Sequence, residues 1–98
     1  MYKILIIEDE KLIREALTTL LERNDYSVKA VDSVESAEQH ELHSFHLILS
    51  DVRLPGLPGT EIIQRAAPVP VIIMTSYAAV ESAVEAMRMG AIDYISKP

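Results

Sequence analysis

The sequence predicts an α/β protein: a parallel sheet with helices packed on both faces. Three observations lead there. Short, β-prone apolar runs recur at residues 3–7, 28–31, 47–50, 71–75 and 94–96. Segments with the three-and-four apolar spacing of helices lie between them. The strands read as continuous rather than alternating apolar runs, as expected when both faces of a sheet are covered. Strands alternating with helices imply crossover connections and parallel pairing. The arrangement that suits this chain is flavodoxin-like and doubly wound, five strands in the order 2-1-3-4-5. It puts chemistry beyond the carboxyl ends of the strands, at the switch between the first and the third.

Each element has its own warrant. Lys3-Ile4-Leu5-Ile6-Ile7 is the first strand. Ile13, Ala16, Leu17, Leu20 and Leu21 then share one helical face, with Arg14, Glu15, Thr18, Glu22 and Arg23 largely off it. Residues 28–31 form the second strand, and residues 33–42 a weaker helix. After the third strand, residues 60–67 can be helical for barely two turns before Pro68 stops them. The fourth strand is followed by a helix with Val80, Ala83, Val84 and Met87 on one face. Gly90 stands where that helix should stop, after Arg88 in its last turn. Residues 94–96 close the sheet.

The bulk properties bound the function. With 98 residues the chain forms a single domain, residues 1–98, near the small end of what buries a useful core. Hydrophobic residues at 49% and charged residues at 24% describe a soluble globular balance. A net charge of -6 argues against direct contact with nucleic acid, which needs clustered Lys and Arg. Cysteine is absent, so neither disulfides nor thiolate metal sites are available. The apolar runs are far too short for a membrane span, and no signal-peptide core is present. A cytoplasmic location is the expectation.

The strand ends carry the chemistry. Strand one runs into Glu8-Asp9-Glu10, strand three into Asp51, strand four into Thr75-Ser76 and strand five into Lys97-Pro98. One edge of the sheet therefore gathers carboxylates, hydroxyls and an ammonium. Carboxylates about 5 Å apart repel by roughly 3 kcal/mol per pair at an effective dielectric near 20. Such a cluster needs positive charge: Lys97 supplies one, and a hard divalent cation such as Mg²⁺ the rest. Neither a G-x-G-x-x-G loop nor a P-loop is present to hold a nucleotide, so a lone phosphoryl group is the better substrate. Asp51 is then a nucleophile that forms an aspartyl phosphate, with Lys97 and the Thr75 hydroxyl stabilising the transferring group.

The segments "ILIIEDE", "LILSDVRLPG", "VIIMTSY" and "GAIDYISKP" resemble, in order, the signature segments of response-regulator receiver domains of two-component signalling. The stretch from Met74 through Met87 to Pro98 is most similar to receivers of the nitrogen-regulation class of sigma-factor activators. The resemblance implies that Asp51 is the phosphoacceptor. Asp9 would be the direct Mg²⁺ ligand, with Glu8 acting mostly through water and the Arg53 main-chain carbonyl completing the protein ligands. It makes Thr75 the switch hydroxyl, Tyr94 the switch aromatic and Lys97 the phosphate-binding lysine, with the Lys97–Pro98 bond cis. It implies a histidine kinase or phosphotransfer protein as partner, transcription as the regulated output, and no enzymatic activity beyond the domain's own phosphorylation and dephosphorylation. Arg53 and Tyr77 flank the expected entrance to the site and are the positions at which to look for control of phosphate lifetime, which the sequence itself does not give.

The chain departs from the family pattern in places. Glu8 replaces the commoner aspartate, Pro58 the usual acidic loop residue, and Ser76 the usual Ala or Gly. The third helix is about a turn short, and a fifth helix is missing after Pro98. That absence would bare on the order of 300–400 Å² of apolar surface, forfeiting roughly 8–10 kcal/mol against a typical total stability of about 5–15 kcal/mol. The expectation is a symmetric homodimer or a fragment of a longer regulator. Two other functions compete with the switch. One is a receiver-like interaction or dimerisation module that phosphate does not control. The other is a Mg²⁺-dependent phosphohydrolase, disfavoured because Arg53 stands where an Asp-x-Asp pair would need its general acid. His40, His43 and His46 read as a solvated helix end and strand start rather than a metal site, and Met87 and Met89 as gap-fillers.

Overall fold

Five parallel strands form one sheet in the order β2-β1-β3-β4-β5: β1 (Lys3–Ile7), β2 (Ser27–Val31), β3 (Leu47–Asp51), β4 (Val71–Thr75) and β5 (Asp93–Ser96). The computed structural model describes residues 1–76 and 80–97. Among these, four α-helices connect the strands: α1 (Lys11–Arg23), α2 (Val34–Ala37), α3 (Glu61–Ala66) and α4 (Val80–Arg88). The predicted order and fold class are those observed. In-register pairing of Ile4–Ile7 with Leu47–Ser50 sets the ends of β1 and β3 side by side. This is the switch point of the sheet.

The period-two geometry of a strand divides the apolar runs between two cores. Leu5, Ile7, Ile48 and Ile73 point to the face covered by α2, α3 and α4, where Val34, Ala37, Ile62, Ile63, Ala66 and Ala86 meet them. Ile4, Ile6, Leu49 and Met74 point to the opposite face, under Leu17 and Leu21 of α1. Continuous apolar strands thus serve two layers at once.

The helices differ from expectation in informative ways. The segment 33–42 is helical only over α2, where the Ser33 side chain caps the Ser36 amide and Val34 and Ala37 are buried. Beyond Ala37, the polar run Glu38-Gln39-His40-Glu41 gives the helix nothing to bury, and a 3₁₀ turn at Leu42–Ser44 leads into β3. On α4, Ala86 is the buried residue, with Ala83 half-buried; Val84 and Met87 are 45% and 47% exposed. Small alanines let the helix lie close to the sheet, which turns the bulkier stripe outward. Met87 is therefore not a gap-filler, whereas Met89 does pack against the core. The Val80 side chain lies outside the described part. Gly90 ends α4 with φ +109°, its amide bonding back to Met87 and that of Ala91 to Ala86.

The predicted α1 face is split. Leu17 and Leu21 reach the sheet, but none of the residues of α1 is fully buried, and Leu12 and Leu20 are 81% and 55% exposed. One α1 flank and Ile95 line an apolar groove of about 340 Å³ over Met74. The Ala67–Pro68 bond is cis; the expectation for Lys97–Pro98, like that for Tyr77, lies outside the described residues. No helix among the described residues is long and apolar enough to cross a membrane.

Candidate functional site

The site assembles because four parallel strands stop at one edge. β1 ends at Ile7 and hands the chain to Glu8, which is fully buried. β3 ends on Asp51 itself, 5% exposed, and β4 on Thr75, 3% exposed. β5 delivers Lys97, whose amide donates to the Thr75 carbonyl at 2.7 Å and extends the pairing of the two strands. The Lys97 ammonium then donates to Glu8 Oε1 at 2.6 Å and to Asp51 Oδ2 at 2.9 Å, with Glu10 Oε1 at 4.0 Å. Its side chain is nearly all buried. Residues up to 89 positions apart in the chain share one ammonium.

Glu8, Asp9 and Asp51 each offer an oxygen within 4.8 Å of the others. Beside them lies a cavity of about 230 Å³ lined by Asp9, Glu10, Asp51, Arg53, Thr75 and Ser76. Two buried carboxylates, an exposed third and a single ammonium leave the cluster short of positive charge. A hard divalent cation fits that donor set. Every member of the predicted set reaches this edge except Tyr94. It sits on β5, half-buried, packed against the core on the α2–α4 face.

Protonation equilibria record the same charge balance. Burial pushes the Glu8 carboxyl above its ordinary value of 4.5. The hydrogen bonds from Lys97 and from the Glu10 amide pull it down, and the negative charge of Asp51 lifts it again. For Lys97, burial disfavours the charged form, yet the hydrogen bonds to Glu8 and Asp51 and their charges outweigh it and raise the group above 10.5.

The sequence reading passed over two residues of the site, Ser50 and Gly59. The Ser50 hydroxyl is fully buried and donates to the Asp51 carbonyl at 3.1 Å, with the Gly59 carbonyl 3.4 Å away. The Gly59 amide donates to the Val52 carbonyl at 2.9 Å. A Cβ on Gly59 would fall inside the Asp51 carbonyl group, so only glycine lets the loop close over the acceptor strand. The second glycine of "LPGLPG" was the available signal. The three histidines do not converge: His43 bonds the Ala67 carbonyl, His46 accepts from the Lys3 amide, and His40 lines a separate cavity.

A doubly wound sheet with an aspartate at the tip of a central strand, bonded to a buried lysine beside two further carboxylates, has the architecture of receiver-type domains. Residues 4–98 match the family model of the response regulator receiver domain, and the chain belongs to that family. This places it in phosphorylation-based two-component signalling. Over 101 residues it is 43% identical to the response regulator protein FleR of Pseudomonas aeruginosa, covering 98% of this chain and 21% of FleR. A Burkholderia pseudomallei response regulator, solved with a phosphorylated aspartic acid, calcium and citrate, is similar at 26% identity and a TM-score of 0.89. The match covers 100% of this chain and 61% of that one. The beryllofluoride-activated NtrC4 receiver domain dimer is similar at 29% identity and a TM-score of 0.90, covering 100% and 85%.

Gly59→Ala should cost about 1–3 kcal/mol in urea unfolding, because the loop must move off the Asp51 carbonyl. The pH dependence has a definite sign. Glu8 holds its proton more tightly folded than unfolded, so its contribution to stability is fully present below about pH 4.5 and is lost as pH rises through the raised folded value. In chelator-treated protein, the stability of wild type relative to Glu8→Gln should therefore fall as pH climbs from about 4.5. Paired thermal melts measure it.

Proposed function

We propose that this chain is a phosphorylation-dependent switch that takes a phosphoryl group from a histidine kinase, or a phosphotransfer protein, onto Asp51. The observation that carries the reading is the shared Lys97 ammonium, bonded at once to Asp51 and Glu8. In the transfer, the donor's phosphorus–nitrogen bond breaks as an Asp51 oxygen–phosphorus bond forms, and the histidine ring keeps the electron pair and takes up a proton. Lys97 is already in place to follow the negative charge from the carboxylate to the phosphoryl oxygens. The Thr75 hydroxyl borders the cavity that the phosphoryl group would enter. Asp9, Asp51 and the Arg53 carbonyl would hold Mg²⁺, with Glu8 acting through water. When bound, the cation offsets the charge of the acidic cluster and of the incoming group.

Once Asp51 carries the phosphate, Thr75 moves toward it and leaves room for Tyr94 to turn inward. Phosphate biases two packings of the same core by bonding one better. The output surface is then α4 with β5, where Val84 and Met87 already face solvent, and the regulated process is transcription. The domain does no chemistry on other molecules. A second copy of the chain is a further partner: Leu12, Leu20 and Ile95 leave an apolar strip open along α1, and the activated NtrC4 receiver was solved as a dimer.

Two experiments test these readings. Incubation with Mg²⁺ and a small acyl-phosphate donor should add one phosphate to the intact mass of wild type and none to Asp51→Asn. No adduct on wild type would favour an interaction module, and rapid multiple turnover a hydrolase. Native mass spectrometry at micromolar concentration should show a dimer; a stable monomer alone sinks the self-association.

A further inference from the structure

We propose that Arg14 is a positioning residue for the acidic loop: it reaches back from α1 and fixes the direction in which Asp9 presents its carboxylate. The proposal rests on the divalent-cation reading of the site. Its basis is an asymmetry among the three carboxylates. Glu8 is held by Lys97 and by the Glu10 amide, the latter at 3.1 Å, and Asp51 by Lys97 and by the Arg53 amide at 3.3 Å. Among the described residues, no hydrogen bond fixes the Asp9 side chain, which is exposed. Its aim depends on the backbone beneath it.

Among the described residues two side chains hold that backbone: Glu8, through the Glu10 amide, and Arg14, which takes both carbonyls. Arg14 Nη1 donates to the Glu8 carbonyl at 2.8 Å and to the Asp9 carbonyl at 3.3 Å. These are consecutive carbonyls, so one guanidinium nitrogen orients the peptide planes on both sides of the Asp9 Cα. The anchor is itself well held. Arg14 lies on the first turn of α1, its amide bonded to the Glu10 carbonyl at 2.9 Å, and it is half-buried, lining a surface cavity together with Ala30 of β2. It approaches the loop from the β2 side and does not line the cavity beside Asp51. Glu10, the residue that starts the helix, makes no side-chain cap, so this hydrogen bond takes over the ordering of the turn.

Simple electrostatics and positioning predict opposite signs. Removing a positive charge near a cation site should tighten cation binding. Removing the support behind a ligand should weaken it, typically by tenfold to a hundredfold when the lost partner orients a metal ligand. Calorimetric titration of the metal-free protein with Mg²⁺ decides between them, in wild type, Arg14→Met and Arg14→Lys, each well below its melting midpoint. We expect the dissociation constant to rise on the order of tenfold in Arg14→Met and to recover in part in Arg14→Lys, which keeps a donor and the charge. Saturating Mg²⁺ should return the Arg14→Met phosphorylation rate to that of wild type, a recovery that general damage to the fold would not allow. Unchanged or tighter Mg²⁺ binding in Arg14→Met overturns the positioning role, as does a loss that Arg14→Lys does not lessen. A wild-type chain that takes up no Mg²⁺ overturns the reading of the site on which this proposal stands.

Discussion

A single buried ammonium organises this molecule. Lys97 stands between Glu8 at the end of β1 and Asp51 at the end of β3, and its amide is tied to β4. Burying two carboxylates without it would be costly, because each loses hydration worth several kcal/mol. With it, the pair is tolerated but not neutralised: one positive charge faces two negative ones, while burial first, and the Asp51 charge after it, raise the pKa of Glu8. An arrangement of this kind is not the most stable filling of a sheet edge, since apolar residues of like volume commonly do as well or better. It is an arrangement that responds to added charge. On the proposed reading, a cation and a phosphoryl group would both act on the imbalance that the lysine leaves.

The rest of the fold holds that imbalance in place. Two apolar layers pack against β1 and β3 from both sides and support the backbone leading to Glu8 and Asp51. Gly59 and Ser50 draw the loop after β3 down over the Asp51 carbonyl. On the other side of the switch point, Arg14 holds the loop after β1 by its carbonyls. The acidic cluster is thus constrained by backbone contacts on two flanks and by the two ion pairs of Lys97 between them. Asp9, whose side chain has no hydrogen bond among the described residues, lines the open cavity.

The helices show a looser economy. α1 lays only part of its apolar surface on the sheet, and α4 turns small residues inward and larger ones out. Both choices leave apolar side chains at the surface next to β5, where Ile92 and Ile95 are also exposed. Patches of this kind mark surfaces that contact other molecules. Core and site are closely packed at the switch point, whereas the surfaces that would communicate with partners lie along α1, α4 and β5.

The strands and their order were legible in the chain because buried parallel strands need long apolar runs, and each run here ends in a chemically distinct residue. Asp51, Glu8, Asp9, Thr75 and Lys97 could be assigned to one edge from topology alone, since all parallel strands point their carboxyl ends the same way. Periodicity was less informative for the helices. It could not say that Ala86 rather than Val84 faces the sheet, or that α2 stops at Ala37, because those outcomes depend on how closely a helix can approach its neighbour. Spacing could not reveal Arg14, whose contacts are to backbone carbonyls that a sequence does not display, and the repeated Pro-Gly marked Gly59 as a turn residue without showing that it closes on Asp51. The amino-acid order determined which groups arrive at the site. Three-dimensional packing decided which of them touch, how the shared proton equilibria shift, and which apolar faces remain open, because those depend on distances set by close packing between segments far apart in the chain.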